Sequence, residues 1–149
     1  MKLSLLLSDV KEEYADIEIS SLAFDTSCVK KGSLFFCLEG TKVDGHDFAE
    51  EAEKNGAAAI VAQRKTKSDL PHVLVSDTRH CLSAASCRFY GEPSKKLKTV
   101  AITGTNGKTT TTYIVKSILD AAGKKCGVIG TNAILIGERK KDAALTTPD

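Results

Sequence analysis

Residues 103–112 read TGTNGKTTTT, and their side chains suit the binding of a polyphosphate. Gly104 and Gly107 leave room for phosphate oxygens, and a helix that begins after them offers free N–H groups and the positive end of its dipole. The ammonium group of Lys108 is predicted to reach the β- and γ-phosphates. The hydroxyl of Thr109 is predicted to ligate a Mg²⁺ ion that bridges the same oxygens. The segment therefore predicts a nucleotide-binding loop.

The loop departs from the common pattern G-x-x-x-x-G-K-[ST] at one position, because Ile102 stands where that pattern has its first glycine. What remains is the shorter G-T-N-G-K-T. The alternative interpretation is a glycine-rich turn with a solvated lysine. An apolar run at residues 97–102 predicts a strand before the loop, and this strand, with the helical pattern after the loop, favours the phosphate site. Three further residues complete the predicted site: Thr105, Asn106 and Thr110.

The composition is that of a globular protein without an unusual charge. The 149 residues are 42% hydrophobic and 27% charged with a net charge of +2, so a nucleic-acid surface is not indicated. The apolar run at residues 3–7 is too short for a membrane span or a secretory signal, and we expect a cytoplasmic protein. Five cysteines without a C-x-x-C pair indicate reduced thiols rather than disulfides or a zinc site.

The first two thirds of the chain predict a small α/β domain. Apolar runs between turn residues predict four strands, at residues 17–24, 33–38, 57–62 and 73–75. A helix is predicted after the Asp44-Gly45 turn, with a glycine stop at Gly56. Asp77 can cap a second helix that ends at Gly91. His46 lies in the turn before the first helix and is assigned a packing or capping role rather than a catalytic one.

Residues 91–96, GEPSKK, form the best linker in the sequence, because they combine helix breakers with charge and lack an apolar anchor. We place the domain boundary there, with a substrate-binding domain at residues 1–94 and the start of a nucleotide-binding domain at residues 95–149.

The second domain is predicted to begin as a βαβ unit of a parallel sheet. After the loop, the helix has an expected buried face of Ile114, Val115, Ile118, Leu119 and Ala122. Further strands are predicted at residues 126–129 and 132–136. A parallel sheet of only two or three strands is too small to be covered on both faces, so we expect this chain to be the front part of a longer protein. The predicted fold class is α/β.

Taken together, the motifs resemble the Mur ligases, ATP-dependent enzymes that form the amide bonds of bacterial cell-wall precursors. The loop GTNGKTTTT follows a separate small α/β domain, as in that family. The segments FDTS at residues 24–27, KGSLFF at residues 31–36 and DGH at residues 44–46 are similar to its first domain. The final residues, LTTPD at 145–149, are similar to the members that add the third residue of the peptide stem, a diamino acid.

The resemblance implies a reaction and a set of site residues. ATP and Mg²⁺ are the implied cofactors, with Lys108 as the catalytic residue. UDP-N-acetylmuramoyl-dipeptide and a diamino acid, either lysine or meso-diaminopimelate, are the implied partners. The D-glutamyl carboxylate is phosphorylated, and the amino group then attacks the acyl phosphate. The uridine end of the substrate is expected at Phe24, Thr26, Thr41, Lys42 and Val43, and the muramoyl-peptide part at Thr146 and Thr147.

One departure from the family and three alternatives accompany this interpretation. The family usually has D-S-R where this chain has Asp25-Thr26-Ser27, so the arginine is missing, and Thr26 could be only a turn hydroxyl. The first alternative is the family member that adds the terminal dipeptide. The second is a P-loop switch protein with an unrelated leader domain, and the third is a binding module without catalysis.

Overall fold

The computed structural model describes residues 1–41, 43–137 and 139–142. The chain divides into two compact units, Met1–Lys98 and Thr99–Asp149, which are described separately below. The predicted assignment of one domain to the sugar nucleotide and one to ATP stays a prediction.

The first unit is built around a four-stranded parallel sheet in the order β1-β2-β3-β4. Its strands are β1 Ser21–Ala23, β2 Ser33–Phe36, β3 Ala57–Ala62 and β4 His72–Leu74. The two central strands read SLFF and AAAIVA, and such continuous apolar runs are typical of parallel strands that are covered on both faces. All four strands fall within or beside the ranges predicted from the sequence, and the sheet confirms the α/β class.

Helices cover both faces of this sheet. The helices of the first unit are α1 Leu3–Leu6, α2 Ala49–Lys54, α3 Thr78–Phe89 and α4 Pro93–Lys96, with short 3₁₀ helices at Glu12–Tyr14, Thr26–Cys28 and Gly45–Phe48. The helices α1, α2 and α3 cover the sheet. Leu34 and Phe36 point to one face, where they join Leu3, Leu6 and Ala85 in a buried cluster. Phe35 points to the other face, where Ala49 and Ala52 of α2 cover it. Side chains therefore alternate between two cores, as a pleated strand requires.

Asp77 caps α3 as predicted, because its carboxylate accepts a hydrogen bond from the backbone N–H of His80 at 2.9 Å. The helix ends in two left-handed residues, Gly91 with φ 72° and Glu92 with φ 52°. The N–H of Glu92 donates to the carbonyl of Cys87 at 2.7 Å, which satisfies one of the last carbonyls of the helix. The segment expected to be an irregular linker holds the short α4, which Pro93 starts because its fixed φ suits the first helical position.

The described part of the second unit contains α5 Lys108–Ala121 and three strands, β5 Gly127–Ile129, β6 Ala133–Ile136 and β7 Arg139–Asp142. The strands pair antiparallel in the order β5-β6-β7. The turn between β5 and β6 spans only residues 130–132, and so short a connection permits a hairpin but no parallel crossover. Residues 97–102 were expected as a parallel strand before the loop. Within the described part of the chain they are not in a strand, because the hydrogen-bonded ladder of this unit does not include them.

The helix α5 packs with a narrower face than expected. Val115 and Leu119 are half-buried, whereas Ile114 and Ile118 are 54% and 63% exposed and Ala122 is also exposed. The prediction that all five residues are buried was therefore wrong for three of them. A sheet of three short strands covers only one strip of a helix, and Val128 and Ala133 are its buried residues. Among the described residues, no helix has both the length and the apolar character needed to cross a membrane.

The placement of the core of the first unit can be tested with two leucines, Leu34 in β2 and Leu74 in β4. Leu34 is fully buried, so Leu34→Ala is expected to reduce the free energy of unfolding by about 2–5 kcal/mol through lost burial and a cavity. Leu74 is 53% exposed, so Leu74→Ala is expected to change it by less than about 0.5 kcal/mol. Urea denaturation followed by circular dichroism measures both. Equal effects of the two substitutions would contradict the placement of the core.

Candidate functional site

The glycines of the phosphate loop adopt conformations that other residues rarely reach. Gly104 has φ 143° and Gly107 has φ 76°, and α5 begins directly after Gly107. A Cβ atom at Gly107 would come no closer than 4.0 Å to Thr111, so backbone conformation rather than space favours glycine there. The loop therefore turns sharply into the N-terminus of a helix, where free N–H groups can receive phosphate oxygens.

Lys108 lies across the loop that precedes it. Its Nζ donates to the carbonyl of Gly104 at 2.6 Å and to that of Thr105 at 3.4 Å. These two hydrogen bonds hold the ammonium group of Lys108 against the backbone of the loop. Bound phosphates would give it charged acceptors, which make stronger hydrogen bonds than neutral carbonyls.

A cavity of about 90 Å³ in the second unit includes Lys108 and Thr109 together with residues that the sequence did not single out. The latter include Tyr113 of α5 and Asn132 of the turn before β6. Thr105, Asn106 and Thr110 are exposed in or beside the loop, but they do not line this cavity. The hydroxyl of Thr109 is the predicted Mg²⁺ ligand, and a hard oxygen donor beside the loop fits that ion.

A second cavity, of about 310 Å³, lies in the first unit. Its lining residues are Phe24, Asp25, Thr26, Phe35, Leu38, Val43, Gly45 and Phe48. The residues from Phe24 follow the end of β1, and Leu38 follows the end of β2. Because parallel strands end at one edge of a sheet, loops that are distant in sequence meet there, and ligands commonly bind at that edge. The structure thus brings together three of the predicted substrate residues, Phe24, Thr26 and Val43.

The other predicted substrate residues are not part of this cavity. Thr41 is exposed and does not line it. Lys42, Thr146 and Thr147 lie outside the described residues.

The turn beside the cavity is held by Asp25. Its Oδ1 accepts hydrogen bonds from the hydroxyl of Ser27 at 2.6 Å and from the backbone N–H of Ser27 at 2.8 Å. These two bonds lower the pKa of the Asp25 carboxyl. Asn55 donates to the carbonyl of Thr26 at 3.0 Å, which ties this turn to α2. Ser27, which stands where the family usually has arginine, therefore serves Asp25 as a neutral hydrogen-bond donor.

The contacts that join Asp44, His46 and Arg64 were not predicted from the sequence, although Asp44 and His46 were assigned to a turn there. Asp44 accepts hydrogen bonds from the backbone N–H and the ring Nδ1 of His46, at 3.0 and 2.6 Å, and pairs with Arg64. These contacts, those from His46 first, hold the pKa of the Asp44 carboxyl well below its usual range. His46 is buried, and its Nε2 accepts from the N–H of Gln63 at 3.1 Å. The imidazole is thus a packed structural group, in line with the role assigned to it from the sequence.

Comparisons with known proteins give a family match in each of the two units. The model of the Mur ligase family, catalytic domain, matches residues 18–90, and that of the Mur ligase middle domain matches residues 102–149. A UDP-N-acetylmuramoyl-L-alanyl-D-glutamate–2,6-diaminopimelate ligase of Geobacillus kaustophilus is 50% identical over all of this chain and 31% of its own length. The ligase of the same name from Aquifex aeolicus is 44% identical over all of this chain and 29% of its own length.

Solved structures give the same result for the fold. A structure of a UDP-N-acetylmuramoyl-L-alanyl-D-glutamate–2,6-diaminopimelate ligase matches with a TM-score of 0.75 at 22% identity, over 94% of this chain and 29% of that one. A MurF ligase of Thermotoga maritima in complex with ADP matches with a TM-score of 0.54 at 31% identity, over 81% of this chain and 25% of that one. The chain belongs to the Mur ligase family. It spans about a third of the length of the curated relatives it matches.

The lowered pKa of Asp44 predicts a contribution to acid stability. The folded state favours the charged carboxylate, so the stabilisation is complete above the ordinary pKa of 3.8 and is lost as the pH falls below that value. Asp44→Asn is therefore expected to lower the thermal stability at pH 6. The further fall in stability between about pH 4 and pH 2 is expected to be smaller in this variant than in the unsubstituted chain. Thermal unfolding across this range measures the effect. The exposed Asp47→Asn is the control, and an identical pH profile for the two variants would contradict the prediction.

Proposed function

We propose that this chain is part of an ATP-dependent ligase that adds a diamino acid to UDP-N-acetylmuramoyl-L-alanyl-D-glutamate. The observation that supports this most strongly is the 44–50% identity, over all or nearly all of this chain, to relatives with that name. The names of these relatives favour diaminopimelate over lysine as the amino acid. The dipeptide-adding MurF ligases, the alternative within the family, match at 27–31% identity.

The cavity of the first unit is the proposed site for the uridine end of the nucleotide sugar. Phe24, Phe35 and Phe48 give it an apolar, aromatic lining that suits a planar base, and Thr26 adds a hydroxyl. Thr41 and Lys42 are proposed to contact the same part of the substrate. Thr146 and Thr147 are proposed to contact the muramoyl peptide, on the sequence motif alone.

The loop of the second unit is the proposed ATP site. Lys108 neutralises charge on the β- and γ-phosphates, and backbone N–H groups at the start of α5 hold their oxygens. Gly104, Thr105, Asn106 and Gly107 form the surrounding loop, and Thr110 in the first turn of α5 is proposed to contact the nucleotide with them. The hydroxyl of Thr109 would hold Mg²⁺, which supplies positive charge to the phosphate oxygens when it is bound.

In the proposed reaction, the D-glutamyl carboxylate takes the γ-phosphoryl group of ATP. The amino group of the diamino acid then attacks the acyl phosphate and releases phosphate as the amide bond forms. Positioning and charge neutralisation account for most catalysis of phosphoryl transfer, and the protein supplies both through the loop. We place this reaction in the cytoplasm, where ATP and the nucleotide-activated sugar are available together.

The role of Lys108 predicts the behaviour of a substitution in the complete ligase. Lys108→Ala is expected to reduce turnover by at least about a hundredfold, because a charged group that stabilises the transition state is lost. The matched control is Lys124→Ala, which removes an exposed lysine of the same unit. Steady-state rates of phosphate release measure both, and near-normal turnover of Lys108→Ala would overturn the ATP-site assignment.

The two sites can be separated with the 149-residue chain. Titration with uridine diphosphate N-acetylglucosamine is expected to shift backbone amide signals of Phe24, Thr26 and Val43 in a saturable manner. Titration with Mg·ADP is expected to shift those of Gly104, Gly107 and Lys108 instead. Two-dimensional NMR measures both. No saturable shift in the first unit with the uridine compound would contradict the proposed substrate site.

A further inference from the structure

Two carboxylates face each other at the base of the segment that carries Thr41 and Val43. We call residues 38–40 and 43–45 the neck of this segment. Glu39 and Asp44 form an antiparallel bridge across the neck. The N–H of Gly40 donates to the carbonyl of Val43 at 3.0 Å, and the N–H of Gly45 donates to that of Leu38 at 2.8 Å. Like charges directly opposite each other destabilise such a pair, so a cation between them would stabilise the closed neck.

Arg64 supplies that cation from the residues that follow β3. Its Nη1 donates to Oε1 of Glu39 at 3.1 Å, and its Nη2 pairs with Oδ2 of Asp44. One guanidinium therefore joins both sides of the neck to each other and to the end of a central strand. Glu39, Asp44 and His46 each have a side-chain oxygen or ring nitrogen within 4.8 Å of those of the other two. The contacts of Arg64 with both carboxylates, and of Asp44 with His46, account for this proximity.

A second arginine contacts the Glu39 side of the neck. Arg79, near the start of α3, donates from Nη2 to the backbone carbonyl of Glu39 at 2.8 Å. On the other side, His46 joins Asp44 to the N–H of Gln63. The neck is thus attached to α3 and to the residues that directly follow β3. It has little room to adapt, because a Cβ atom at Gly45 would lie 2.6 Å from the N atom of Leu38.

The geometry points to Arg64 as a positioning residue for substrate binding, which closes the neck and so places Val43 against the cavity that contains Phe24 and Thr26. This inference rests on the proposed function of that cavity. Arg64 itself does not line the cavity. Its effect on a ligand is therefore transmitted through the neck and not by direct contact.

The test measures ligand affinity and neck closure independently in the 149-residue chain. Arg64→Ala is expected to raise the dissociation constant for uridine diphosphate N-acetylglucosamine by roughly twofold to fivefold, because the loss of an exposed ion pair changes an equilibrium constant by at most about fivefold. It is also expected to accelerate hydrogen exchange at the amides of Gly40 and Gly45. Lys67→Ala, which removes an exposed lysine three residues further along the chain, is the control and is expected to change neither quantity.

A second substitution separates charge repulsion from simple loss of a contact. Adding Glu39→Gln to Arg64→Ala removes the repulsion across the neck, so affinity and exchange rates are expected to return toward those of the unsubstituted chain. A weaker affinity without faster exchange at the neck would overturn the inference, as would unchanged affinity in Arg64→Ala. Absence of binding by the unsubstituted chain would contradict the proposed function. Unchanged exchange in Arg64→Ala would contradict only the role of Arg64.

Discussion

Burial of two central strands on both faces is the constraint on which the first unit depends. β2 and β3 expose almost no side-chain surface, so helices must cover the sheet above and below. That requirement places α1 and α3 on one face and α2 on the other. The strands are parallel, and such sheets occur mainly where both faces are covered; α2 is the helix that crosses over between two of them, β2 and β3. The strand ends consequently meet at one edge, and the cavity with Phe24, Thr26 and Val43 lies there.

Short-range patterns predicted much of this fold. The run AAAIVA predicted β3 with its observed bounds, since Gly56 and Gln63 flank an uninterrupted apolar segment. Asp77 predicted the start of α3, because capping involves only neighbouring residues. The neck could not be predicted in this way. Arg64 meets Glu39 across 25 positions of the chain, and no local pattern relates an exposed arginine to a carboxylate that far away.

The second unit shows the same division between local and long-range information. The helix start after Gly107 could be predicted, because the conformation of the loop and the start of α5 depend on adjacent residues, while phosphate binding by Gly104, Gly107 and Lys108 stays a prediction. The strand expected at residues 97–102 could not be judged locally. An apolar run has the propensity for a strand, but a strand forms only where another backbone completes its ladder. The exposure of Ile114 and Ile118 has a similar cause, since helical periodicity identifies an apolar face but not the width of the surface that covers it.

The contact between Lys108 and the carbonyls of Gly104 and Thr105 has a thermodynamic consequence for nucleotide binding. The bonds from one ammonium group hold the loop in its curved shape through the chain's own atoms. At the proposed nucleotide site, these bonds order part of the loop before a ligand binds, so less of the interaction energy of a nucleotide would be needed to order the protein. In the proposed complex, Lys108 would exchange two neutral carbonyl acceptors for charged phosphate oxygens, which form stronger hydrogen bonds.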